Sequence, residues 1–126
     1  MSNPHLWAAL FACLTLPTVT QAAGDAAKGE REFRACRSCH QLAEGLNGVG
    51  PSLSSLFGAT AGEVEGFDYS DAMARSGIVW TEETLDAFLA NPKDLVSGTT
   101  MGYRGQRNGD KRADLIAYLA QETAAE

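Results

Sequence analysis

The sequence predicts an all-α fold of three main helices and one short one, wrapped around a large bound group. Three observations carry that expectation. Capped, amphipathic segments recur along the chain, and no stretch alternates apolar and polar residues convincingly enough to read as a strand. The connections between those segments are long and glycine-rich, which in a compact domain makes sense when they enclose a cofactor. Finally, Cys36-Arg37-Ser38-Cys39-His40 has the spacing of a covalent haem c attachment site.

Among the 126 residues, Leu6 to Thr20 are uncharged and mostly apolar. That run is shorter than the roughly 20 residues needed to cross a bilayer. Thr20 and Ala22 occupy the small-residue positions of a cleavage site, so residues 1–22 are expected to be a secretory signal peptide and 23–126 a single domain. Met1 to His5 contribute no Lys or Arg to such a leader. The alternatives are a lipoprotein leader cut before Cys13 and an uncleaved anchor. With the leader gone, His5 and Cys13 go too, leaving Cys36, Cys39 and His40 with no disulfide to form.

Asp25 is placed to cap a first helix running to about Cys36, in which Gly29 and Phe33 share one face. Gly45 to Gly62 reads as loop, punctuated by Gly48, Gly50, Pro51 and Gly58. A short helix is expected within Phe67 to Ser76, with Ser70 or Asp71 as its cap and Gly77 as its stop. Thr81-Glu82-Glu83-Thr84 opens a clearer helix with acids in its first turn, which Asn91-Pro92 closes. Leu85, Phe88 and Leu89 make its apolar stripe. Lys93 to Gly109 reads again as loop, and a final helix from about Asp110 to Thr123 turns Leu115, Ile116, Tyr118 and Leu119 inward.

The motif's chemistry is specific. Two cysteine sulfurs add to the two vinyl groups of one haem, and the adjacent histidine turns its imidazole onto the iron. A zinc site would need a second Cys/His cluster, which the chain lacks, and a thioredoxin-like pair would sit beside a βαβ pattern. His40 is the only histidine after the leader, which excludes a bis-histidine haem; if the iron is six-coordinate, the natural sixth ligand is a methionine, Met73 or Met101. Met73 lies in a helical setting that suits packing. Met101 lies in the irregular stretch Ser97-Gly98-Thr99-Thr100-Met101-Gly102, long enough to pass over a haem face, and is the favoured ligand. Thioether ligation favours Fe(II), and a six-coordinate iron leaves no place for a substrate, which points to electron transfer.

From Gly24 onward the chain resembles the class I cytochromes c of mitochondrial type, nearest to the soluble bacterial cytochrome c2 group. The resemblance runs in order through Gly24-Asp25-Ala26-Ala27-Lys28-Gly29, the haem motif, Gly50-Pro51-Ser52-Leu53 and Gly66-Phe67-Asp68-Tyr69. It continues through Gly77-Ile78-Val79-Trp80, Asn91-Pro92-Lys93, Gly98-Thr99 and Arg112-Ala113-Asp114-Leu115. It implies one haem c bound through Cys36 and Cys39, with His40 and Met101 on the iron. It further implies that Pro51 accepts the His40 Nδ1 proton and that Tyr69, Trp80 and Thr99 hydrogen-bond the haem propionates. Gly29, Phe33, Leu115 and Tyr118 match the crossing of the first and last helices.

Five departures stand out against that resemblance. Ala59 replaces an arginine near a propionate, Phe88 a tyrosine that reaches the methionine sulfur, and Met73 an asparagine in a buried polar network. Ser97 replaces a proline in the methionine loop, and Tyr103 a phenylalanine over the haem edge. A looser Met101 loop and less polar haem surroundings are therefore expected.

The chain carries 16 acids and 10 bases, a formal charge of −6, and has no basic run of the kind that binds nucleic acid. Yet Lys93 to Arg112 holds five bases against two acids, enough to make a positive end that steers the haem edge toward acidic partners. The expected protein is a periplasmic, monomeric one-electron shuttle, not an enzyme and not stably inserted in a membrane. Its partners would be a quinol–cytochrome c reductase and a terminal oxidase, photosynthetic reaction centre or dedicated reductase. The alternatives are a haem subunit of a larger oxidoreductase, or a peroxidase-active or gas-sensing cytochrome with a labile Met ligand.

Overall fold

The structure, a computed structural model, describes residues 24–123; the expected signal peptide lies outside the described residues. Five helices succeed one another: α1 (Ala26–Glu32), α2 (Asp71–Ala74), α3 (Glu82–Ala90), α4 (Pro92–Leu95) and α5 (Gly109–Glu122). A single 3₁₀ turn, Phe33–Ala35, carries α1 forward to the haem motif. No strand forms among the described residues; the sole pairing is an isolated bridge between Thr60 and Val79.

Local chemistry explains each start. The Asp25 carboxylate accepts from the N–H groups of Ala27 and Lys28, satisfying two donors the first helical turn leaves free. Ser70 caps α2 through the Met73 N–H, which settles the choice between Ser70 and Asp71. Thr81 and Thr84 cap α3 reciprocally, each hydroxyl accepting the other's backbone N–H. Asn108 caps α5 through Lys111 N–H, so that helix begins one residue before Asp110.

The short helix forms at Asp71–Ala74, within the span expected for it. One expectation needs correction. The stretch after Asn91-Pro92 is not loop throughout: Pro92 occupies the first position of α4, where its missing N–H costs nothing and its fixed φ suits a helix.

α1 and α5 cross closely, and glycine permits it. A β-carbon on Gly29 would land on the Asp114 carbonyl and 2.7 Å from Tyr118 Cβ. Phe33 then meets the Tyr118 ring at 5.4 Å, and the Asp25 N–H donates to Asp114 Oδ1 at 2.7 Å. Behind the crossing, Phe33, Leu85, Phe88, Leu89, Leu115, Ile116 and Leu119 are all buried. Each buried side chain of this size contributes roughly 1.5–3 kcal/mol. The helices thus form a cage on one side, and the long loops 41–70 and 96–108 close the other.

Candidate haem site

The cavity enclosed by helices and loops is lined by all eight residues expected at the site: Cys36, Cys39, His40, Pro51, Tyr69, Trp80, Thr99 and Met101. They come from five separate parts of the chain, at 36–40, 51, 69, 80 and 99–101, so only the fold brings them together.

The haem motif is presented by a turn. Cys36 N–H donates to Phe33 O at 2.9 Å, Cys39 N–H to Cys36 O at 3.1 Å and His40 N–H to Cys36 O at 2.9 Å, coiling the motif so that both thiols and the imidazole meet one cavity. The two cysteines are free of disulfide bonding. Burial, with Cys39 alongside, pushes the Cys36 thiol up to about 11. A thiolate is therefore disfavoured there, whereas a neutral thioether carries no such cost.

His40 Nδ1 donates to the Pro51 carbonyl at 2.8 Å. A carbonyl only accepts, so the proton sits on Nδ1 and Nε2 keeps its lone pair for a metal. The loop that supplies Pro51 is itself tied down, by Gly50 N–H to Cys39 O and Leu53 N–H to Gln41 O, both at 2.9 Å. Asn47 adds a further tie, accepting from Ser52 N–H at 2.9 Å and donating to the Glu65 carbonyl at 3.0 Å.

Thr99 to Gly102 supply another part of the wall. Thr99 is buried, and its hydroxyl accepts from Met101 N–H at 3.3 Å, which fixes the backbone that carries the thioether. Gly98, at a φ of 96°, packs against Ala72 of α2, and Gln106 N–H donates to Leu89 O at 2.8 Å to close the loop. Trp80 is held by backbone bonds to Ala59 and Gly58 and meets Phe88 at 5.1 Å. The Tyr69 hydroxyl accepts from Val64 N–H at 3.1 Å; burial pushes its ionisation up, and that hydrogen bond pulls partly against the shift.

Met73, assigned to packing from its helical setting, is buried and also lines the cavity, as do Ala59 and Phe88. Ser97 stays exposed on the loop and Tyr103 is half-buried behind it. Gly50 is the feature that residue chemistry alone did not reveal: its importance is steric, and its adjacency to Pro51 was the only trace.

The wall fits haem c. It is almost wholly apolar, with two unpaired thiols, one imidazole with a free nitrogen, and thioethers. No group of three His, Cys, Asp or Glu side chains among the described residues could hold a bare ion. The chain is 46% identical over 112 residues to cytochrome c2 of Rhodomicrobium vannielii, an alignment spanning 88% of this chain and 90% of that one. It belongs to the class I cytochrome c family.

Cytochrome c2 of Blastochloris viridis is 47% identical over 104 residues, 82% of either chain. Among solved structures, cytochrome cH from Methylobacterium extorquens superposes with a TM-score of 0.74 at 44% identity, covering 78% of this chain and 99% of that one. No protein-family model matches the chain. The fold is the class I cytochrome c fold, the cofactor is haem c held by Cys36 and Cys39, and this cytochrome c is an electron carrier.

Proposed function

We propose that this cytochrome c is a one-electron shuttle of the periplasm, exported by a leader cut after Ala22, with His40 and Met101 as the two axial ligands of iron. The observation that carries the reading is the His40 Nδ1 bond to Pro51, which aims Nε2 into the same cavity that Met101 lines. Haem c supplies the Fe(III)/Fe(II) couple. The protein's residues do the rest: His40 and Met101 would hold the iron, and the apolar wall would exclude water from it. Tyr69, Trp80 and Thr99 offer neutral donors to the haem carboxylates. With His40 and Met101 both on the iron, no substrate would reach it, which supports a carrier and not an enzyme.

The five bases between Lys93 and Arg112 do not all contribute to docking. Lys111 lies 3.7 Å from Glu32, and Arg112 is bonded to Asp86 at 2.7 Å. Lys93, Arg104 and Arg107 are exposed and make no ion pair among the described residues. These three are the cations available to steer the haem edge to an acidic site on a quinol–cytochrome c reductase, and then to an oxidase, reaction centre or reductase.

The test is the purified holoprotein. A low-spin ferric spectrum with the weak far-red charge-transfer band of Met–Fe(III) is expected, as is a monomer by size exclusion. Electron transfer with a quinol–cytochrome c reductase should slow as salt rises. A high-spin ferric protein at neutral pH would instead mark a peroxidase-active or gas-binding cytochrome, and co-elution with a larger complex a subunit role.

A further inference from the structure

In a chain of net charge −6, one exposed surface outside the haem cavity is strongly basic. Lys28, Arg31, Arg34 and Arg37 recur at every third residue along α1, the 3₁₀ turn and the start of the haem motif, and all four are exposed. Residues three apart on an α-helix are neighbours, and in a 3₁₀ turn they eclipse, so these side chains form a row. Gly29 and Phe33 hold the opposite face against α5, which leaves Arg31 and Arg34 turned to solvent. The Arg37 guanidinium stands 5.9 Å from the centre of the Phe33 ring, a cation–π contact that fixes the last member of the row.

The fold leaves this row uncompensated. Lys28 reaches Asp25 at 3.9 Å, whereas Arg31, Arg34 and Arg37 make no ion pair among the described residues. Asp25 is also engaged by the N–H groups of Ala27 and Lys28, and Glu32 is taken by Lys111 at 3.7 Å and Gln106 at 3.4 Å. That leaves exposed Glu30 alone against three guanidiniums. Like charges three apart on a helix repel, and no ion pair among the described residues offsets the cost at these three. Glu32 stands on the flank of α1 that meets the end of the methionine loop, so an acid borders the row on that side.

We propose that Arg31, Arg34 and Arg37 form a docking strip for an acidic polypeptide segment, separate from Lys93, Arg104 and Arg107. Arginine presents a planar fork that bonds a carboxylate through two N–H groups, so three in a row suit a segment carrying several Asp or Glu side chains. A lipid surface fits less well. Stable binding to a bilayer needs apolar side chains that enter it, and the exposed apolar residues among these cations are only Ala27 and Ala35. The acidic remainder of the chain is also repelled by a broad anionic surface, whereas a narrow segment meets the row alone. A partner held by such a segment stays beside the carrier while the haem edge is free to meet a redox site, which raises the effective concentration for that encounter. The inference goes beyond electron carriage and does not rest on the axial ligands.

The test is titration of the isotope-labelled ferrous holoprotein with a short oligoglutamate peptide at low ionic strength, read by NMR and calorimetry, with phosphatidylglycerol vesicles in a parallel arm. Amide and guanidinium shifts should centre on residues 28–37 and leave Lys93, Arg104 and Arg107 unmoved. Arg31→Gln/Arg34→Gln/Arg37→Gln should weaken peptide binding about tenfold. Lys93→Gln/Arg104→Gln/Arg107→Gln removes the same charge and should weaken it far less. Equal loss in the two triple variants, or shifts centred on the methionine loop, overturns the proposal. No peptide binding by wild type overturns it as well, and binding to the vesicles in its place would assign the row to a lipid surface. Arg37 belongs to the haem motif, so if the triple variant loses haem, Arg31→Gln/Arg34→Gln measured against Lys93→Gln/Arg104→Gln decides. The visible spectrum, recorded alongside, can contradict the ligand assignment without altering this result.

Discussion

The Gly50 α-carbon lies against the His40 imidazole: a β-carbon added there would sit 2.7 Å from Nδ1 and 2.8 Å from Nε2. The ring that is to bind iron is thus positioned by a bond from Pro51 on one atom and by bare backbone against its face. Gly50→Ala should displace the imidazole and weaken its bond to Pro51. Over-packing of this kind costs about 1–3 kcal/mol. The expected result is a lower urea midpoint in the holoprotein and a shifted ferric spectrum; unchanged values would show that the loop yields freely.

Two thioethers line the cavity, and they should behave differently. Met101→Leu is expected to abolish the far-red band and yield a ferric iron open to added imidazole. Met73→Leu keeps volume and should leave band and potential nearly unchanged, at a cost below about 1.5 kcal/mol. Visible spectroscopy of the two variants checks the assignment, and the reverse pattern would reassign the ligand.

Ser97 comes just after Val96, the C-cap of α4, and leads into Gly98, so nothing restricts its own φ as a proline would. Its N–H makes no backbone bond among those outside the helices, whereas Thr99 N–H donates to Val96 O at 3.1 Å. Ser97→Pro should raise the alkaline midpoint at which the thioether leaves iron. That midpoint, read by following the far-red band against pH, is expected to lie low in the unsubstituted protein; no rise in the variant would argue that the loop is already stiff.

Arg112 joins α5 to the end of the methionine loop. Its Nε donates to Asp86 Oδ1 at 2.7 Å, and its Nη1 donates to the carbonyls of Gln106 and Arg107 at 2.8 and 3.0 Å. Asp86 is 46% exposed, so solvent screens the charge pair, and the carbonyl bonds matter more. Arg112→Ala should cost about 1.5–3 kcal/mol in chemical denaturation. Arg112→Lys should rescue little, because one ammonium cannot span all three acceptors. Full rescue by lysine would mean that charge alone was needed.

Tyr69 ionises above its ordinary value because burial penalises the phenolate. The folded state therefore holds the proton more tightly than the unfolded chain does. Its contribution to stability is complete below the unfolded value, near 10, and declines as pH rises through and beyond it. Ultraviolet difference titration of wild type against Tyr69→Phe should show one phenol ionising later than an exposed tyrosine. Titration of that phenol at the ordinary value would remove the effect.

Much of this protein is legible residue by residue. The haem motif depends on covalent spacing within five consecutive residues, and helix starts depend on a cap two or three residues from the donors it satisfies, as Asp25, Thr81 and Ser70 show. Such interactions are local, so the sequence carries them openly. α4 is the local feature that is hard to read in the sequence, since Pro92 ends one helix and begins the next.

What the chain alone determined is the chemistry available: two thiols, one imidazole, two methionines and a long stretch nearly free of bases. Tertiary structure decided which of these face one another. Pro51 reaches His40, Met73 joins Met101 at the cavity wall, and three of five clustered bases are left unpaired while two are taken by Glu32 and Asp86. Those relationships depend on how distant segments pack, and packing follows the combined shape of many side chains, which no single stretch of sequence contains.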